Sequence, residues 1–142
     1  MRRVRQLYQS GRTTTAPDDS QNIQTVQIKL DALRTRDGTP VLYHFGFSAC
    51  LPVGTDVALV SVGGDTSNAV IVGSNHQTYR PKGLRPGESI LYDAFGRKIH
   101  MTADGGIVVE ANGTAITVNN ATVVTVNATD SIQLNAPAIN LN

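Results

Sequence analysis

The chain has a single cysteine, Cys50, and no tryptophan, and aromatic residues make up only 5% of its 142 positions. One cysteine excludes an internal disulfide, and its apolar neighbours Ala49 and Leu51 predict a buried thiol rather than a nucleophile. So few large aromatic side chains cannot fill one big interior; they suit many short strands around small cores. No apolar run approaches the roughly eighteen residues needed to span a bilayer, and no hydrophobic segment follows Arg2, Arg3 and Arg5, so the chain reads as a soluble product of the cytoplasm. Charged residues are 16% of the total and the formal net charge is +1, which favours neither a nucleic-acid binder nor an acid-rich disordered protein. The motifs of common enzymes are missing too: Gly-x-Ser-x-Gly, His-Glu-x-x-His and a phosphate-binding glycine loop do not occur. Paired carboxylates of the glycosidase kind are not apparent, because Asp104, Glu110 and Asp130 are sparse and far apart in sequence.

Lysine and arginine are also absent from the whole stretch after Lys98. What is present there is a two-residue alternation. Apolar side chains fall at Ile107 and Val109, Ile116 and Val118, Val124 and Val126, Ile132 and Leu134, then Ile139 and Leu141. Alternation of this kind predicts strands. The pairs recur roughly every seven to nine residues, separated by Asn112-Gly113, Asn119-Asn120, Thr129-Asp130 and Pro137, which turn or interrupt strands. Ordering each residue costs about 1–2 kcal/mol of backbone entropy, and a solitary meander of such short strands leaves an apolar face and two edges in water. Copies must therefore associate around these ten apolar residues, and three is the natural number for slender chains carrying one inward row each. The outward surface is Thr, Asn and Ser, hydrophilic and nearly uncharged, which suits either strand and turn chemistry alone or a smooth shaft.

Upstream, residues 1–22 read as an N-terminal arm, with room for two helical turns over Met1 to Gly11, followed by a linker. Strand-like runs then begin at Ile23 to Leu30, turn at Arg36 to Pro40, resume from Val41 to Phe47, and continue as Asp56 to Val62 and Asn68 to Gly73. Several short strands with no convincing helix fit a small barrel over residues 23–77, of OB or SH3-like type. Residues 78–104 form a basic, proline-containing connector and then a hairpin, Glu88 to Tyr92 with Lys98 to Thr102, as a collar; residues 105–142 are the shaft. Tyr43, Phe45 and Phe47 alternate along one run. They fit either a barrel core or, on an OB barrel, a stacking platform for single-stranded nucleic acid.

Leu51-Pro-Val-Gly-Thr-Asp-Val57, Gly63-Gly-Asp65, Ala69-Val-Ile-Val-Gly73, Gly87-Glu-Ser-Ile-Leu-Tyr-Asp93, Gly96-Arg-Lys-Ile-His-Met-Thr102 and Asp104-Gly-Gly-Ile107 together resemble the baseplate assembly protein V family of contractile-tailed phages, and most of all the central spikes of Mu-type phages. The resemblance runs from about Ile23 to the end. It implies an all-β homotrimer, an N-terminal OB barrel followed by an intertwined triple-stranded β-helix, bound to the baseplate hub of the virion tail and driven through the host outer membrane when the sheath contracts. Members of that family often close their tip with a His-x-His pair binding iron. His44, His76 and His100 form no such pair and precede the repeats, so no metal, cofactor or catalytic residue is expected, and the uncapped Ile139-Asn-Leu-Asn142 leaves room for a separate tip protein.

Overall fold

A computed structural model describes residues 7–140. Among the described residues the regular structure is almost entirely β, with a 3-10 turn at Val62–Gly64. Leu141, expected to be the last inward residue of the shaft, lies outside the described residues, as do Arg2, Arg3 and Arg5. The chain falls into two units, Met1–Asn112 and Gly113–Asn142.

The first unit holds two sheets. Strands β1 (Tyr8–Thr13), β2 (Thr25–Lys29), β3 (Thr35–Pro40), β4 (Asp56–Ser61) and β5 (Ala69–Asn75) pair antiparallel in the order β3-β2-β1-β4-β5. β6 (Ser89–Tyr92), β7 (Lys98–Met101) and β8 (Ile107–Glu110) form a separate antiparallel meander. Alternation decides which side chains face inward: along β4, Val57 and Leu59 are buried while Ala58 is exposed, and along β2, Val26 and Ile28 are buried. With Val41, Leu51, Ala69 and Ile71 these make the core. Thr13 joins it through hydrogen bonds, its hydroxyl donating to the Pro52 carbonyl and accepting from the Thr55 N–H. These bonds satisfy polar atoms that burial alone would penalise.

Several expectations are revised. The arm predicted over residues 1–22 contains β1, the central strand of the five. Arg12 pairs with Asp56 at 2.7 Å across the β1–β4 ladder, so the polar Ser10-Gly11-Arg12-Thr13 run is held by its neighbours on both sides. The first hairpin turns at Asp31 to Arg34, ahead of the predicted Asp37-Gly38. The Asp31 carboxylate accepts the Leu33 and Arg34 N–H groups there, while Gly38, with φ of +60°, sits within β3 where the β2–β3 register shifts. Val41 to Phe47 is not a strand. Only Val41 makes a bridge, and His44 to Phe47 is a tight turn closed by Phe47 N–H to His44 O, with Gly46 at φ of +91°. Cys50 is exposed, since it lies in the loop after that turn instead of in a strand. The predicted strands at Asp56, Asn68, Glu88 and Lys98 are present with small changes at their ends.

The closed barrel expected from the strand count is not a continuous ladder. Its two edges, β3 and β5, meet through one parallel bridge, Val41 with Ile71, next to a 3.0 Å hydrogen bond from Leu42 N–H to Ile71 O.

Candidate assembly surface

The β6–β8 sheet starts from two turns that fix themselves locally. Between β6 and β7, the Asp93 carboxylate accepts the Phe95 and Arg97 N–H groups and pairs with the Arg97 guanidinium at 2.6 Å, while that guanidinium stacks 5.2 Å over the Phe95 ring. Gly96 has φ of +83°, and a Cβ there would lie 2.8 Å from Asn112 Nδ2, the amide that donates to Phe95 O. Between β7 and β8, the Thr102 hydroxyl donates to Gly106 O and accepts the Gly105 N–H.

Glu88 ties this sheet to the connector before it. Its carboxylate accepts the Ala103 and Arg85 N–H groups and pairs with the Arg85 side chain, which reaches on to Asp104 at 2.7 Å. The Ala103 N–H first, then the Arg85 N–H, hold the Glu88 carboxyl down to about 2, against the opposing effect of its desolvation. His100 Nε2 lies 3.6 Å from the same carboxylate. His100 is half-buried rather than on the open strand surface.

The ladder fixes which side chains share a side. Leu91, Ile99 and Val109 stand abreast, as do Ser89, Met101 and Ile107, and these two rows face one way. Ile90, His100 and Val108 form a row on the opposite side with Tyr92, Lys98 and Glu110. Ile107 and Val109, read from the sequence as the start of the shaft, are thus strand residues of this sheet, and both are exposed.

In the second unit no strand is assigned among the described residues 113–140, although the alternation predicts several. Ile116, Val118, Val124, Val126, Ile132, Leu134 and Ile139 are all exposed, and Val126 retains 64% of its surface. Asn120 takes φ of +58° and Gly113 φ of +77°, so the predicted turn residues do turn.

No cluster of three metal-ligating side chains occurs among the described residues. A 460 Å³ cleft lined by Cys50, Leu51, Tyr79, Tyr92 and Phe95 contains His76, whose ring nitrogen is engaged with Val53 O and whose ring packs 4.4 Å from Tyr79. The aromatic platform considered for nucleic acid is not assembled: Tyr43 is half-buried and donates to Gln24, while Phe45 projects wholly into solvent from its turn. Arg12 and Arg34 near that unit are each paired with an aspartate. Among the described residues no helix is long and apolar enough to cross a membrane.

An all-β unit with bonded turns is thus followed by an alternating stretch whose apolar side chains are exposed, and comparison with known proteins shows what such a chain is similar to. Residues 13–78 match the family described as Bacteriophage Mu Gp45, N-terminal. The chain is 30% identical over 110 residues to the baseplate puncturing device gp45 of Escherichia phage Mu, covering 77% of this chain and 55% of that one. It is 28% identical over 109 residues to the Mu-like prophage FluMu protein gp45 of Haemophilus influenzae, covering 77% and 59%. The chain is similar to these Mu-type gp45 proteins, the resemblance its motifs indicated, and spans a little over half the length of these relatives. The match begins at Thr13, ten residues before Ile23, where the motif resemblance was taken to start.

Proposed function

We propose that this chain is the central spike of a contractile phage tail baseplate, a homotrimer that sits at the baseplate end of the virion tail, binds the hub, and is pushed through the host outer membrane when the sheath contracts. Its role is mechanical and not catalytic. The observation that carries this reading is the stretch 113–140, which presents apolar side chains in alternation, has no assigned strand among the described residues, and leaves those side chains exposed. Such a segment gains an interior and backbone partners only from other chains. Winding three copies into a triple-stranded β-helix places Ile107, Val109, Ile116, Val118, Val124, Val126, Ile132, Leu134, Ile139 and Leu141 along one axis.

The upstream unit is an OB barrel in this reading. Support comes from the β1-β2-β3 meander, the β4-β5 hairpin and the isolated parallel bridge Val41–Ile71, which lies where a barrel of order β1-β2-β3-β5-β4 would bring β3 beside β5. The barrel holds the shaft against the hub.

Phage carrying Val126→Asp or Thr125→Asp test the proposal. Val126→Asp brings three carboxylates to one axis, at a cost on the order of several kcal/mol, so purified trimers dissociate and infectivity falls at least tenfold. Thr125→Asp, on the outward parity, leaves both near wild type. Equal tolerance of the two changes contradicts the proposal.

A further inference from the structure

We propose that the Asp37-Gly38 pair in β3 is a site of spontaneous covalent modification, at which the folded chain closes a succinimide ring and converts Asp37 to isoaspartate. The only other reactant is water. The Gly38 nitrogen bonds to Cγ of the protonated Asp37 carboxyl, its proton and the carboxyl hydroxyl leave together as water, and a five-membered ring remains. Water then opens the ring at one of its two carbonyls. Opening at the side-chain carbonyl restores Asp37; opening at the main-chain carbonyl routes the backbone through Cβ and Cγ and leaves an isoaspartate of unchanged mass.

The sequence holds three places where Asp or Asn precedes glycine, the neighbour that hinders ring closure least: Asp37-Gly38, Asp104-Gly105 and Asn112-Gly113. Their surroundings differ. The Gly38 N–H donates to Asp37 Oδ1 at 2.9 Å, so the attacking nitrogen already lies against an oxygen bonded to the carbon it must reach. Reacting atoms held so close are near a productive geometry. The β2–β3 register explains why this nitrogen turns to its own neighbour. Ile28 stands opposite Arg36 and Val26 opposite Thr39, so two steps along β2 face three along β3, and Asp37 and Gly38 fall in the bulge. Both are exposed, which gives water access to the ring, and a Cβ at Gly38 would meet nothing within 4 Å. None of the ion pairs among the described residues takes the Asp37 carboxylate.

The other two pairs are held apart. The Gly105 N–H donates to the Thr102 hydroxyl at 2.7 Å, and Arg85 takes the Asp104 carboxylate at 2.7 Å, so nucleophile and electrophile are turned to different partners. Asn112 commits its side-chain amide to Phe95 O at 2.9 Å, away from the nitrogen that would attack it. In an unfolded chain Asn112 is the most reactive of the three, because an amide loses ammonia more readily at neutral pH than a carboxylate loses water. The fold shields that site and Asp104 while presenting Asp37.

Oxygen-18 labelling tests this on the intact chain. The protein is aged at neutral pH in heavy-oxygen water, once folded and once in guanidinium chloride, then digested in ordinary water. Each ring opening adds one heavy oxygen, which peptide fragmentation localises, and electron-transfer fragmentation distinguishes isoaspartate from aspartate. Residue 37 takes up label at least as fast in the folded chain as in the unfolded one and accumulates isoaspartate. Folding slows labelling at Asp104 and Asn112 by at least about tenfold, the loss expected when reacting groups are held out of line. Asp37→Glu, which keeps the charge but requires a six-membered ring, abolishes labelling at that position. Labelling at residue 37 that folding slows as much as at the other two, label there without isoaspartate, or label that survives Asp37→Glu overturns the proposal.

Discussion

Ile71 occupies the place where the five-stranded sheet comes back on itself, and truncating it tests that arrangement. Its side chain is 1% exposed, lies opposite Leu59 in the β4–β5 ladder, and belongs to the residue whose carbonyl takes the Leu42 N–H. Ile71→Ala removes three buried carbons and leaves a cavity bounded by Leu59, Val41 and their neighbours, at a cost of about 2–5 kcal/mol. That is a large part of the ~5–15 kcal/mol that holds a domain together. Val72, the next residue, is 51% exposed on the other side of the strand, so Val72→Ala costs less than about 1 kcal/mol. Urea unfolding followed by circular dichroism at one fixed chain concentration measures both, so that the two variants are compared at the same mass-action contribution of assembly. A loss at Val72→Ala equal to that at Ile71→Ala would mean that the inward face has been assigned the wrong parity.

Two further outcomes follow from the β6–β8 sheet. Because the folded Glu88 carboxyl is held down to about 2 from its ordinary 4.5, its contribution to stability is complete above pH 4.5 and drains away as the pH falls toward 2; Glu88→Gln therefore flattens the acid limb of the stability profile, and an unchanged limb counts against the contacts from Ala103 and Arg85. Gly96→Ala forces a side chain into the left-handed region and against the Asn112 amide, lowering stability by about 1–3 kcal/mol, whereas thermal melting unchanged from wild type would show that the turn relaxes without cost.

What the sequence reveals about this molecule depends on whether the information is periodic or comes from tertiary neighbours. β4 and β7 carry apolar alternation and β5 and β6 short apolar runs, with Gly, Pro or Asp nearby, and their positions are legible directly. β1 is not, because Tyr-Gln-Ser-Gly-Arg-Thr has no apolar face; its place is fixed by backbone bonds to β2 and β4 and by the Arg12–Asp56 pair. The aromatic run Tyr43 to Phe47 misleads for the opposite reason: it alternates well, but the φ that Gly46 adopts bends the chain before a ladder can form. The ten residues proposed for the shaft come from alternation alone, a signal that specifies only that a face must be covered and does not reveal that Leu91, Ile99 and Met101 share a side. Their shared side emerges only when the β6–β7–β8 register is known.

The central claim is that the alternating stretch acquires its interior from sister chains. Multi-angle light scattering of the native particle tests it most directly, since the chain mass is 15.1 kDa. The account predicts a particle of three times that mass that persists on dilution into the micromolar range; a particle of one chain mass, with residues 113–140 resistant to protease, would contradict it.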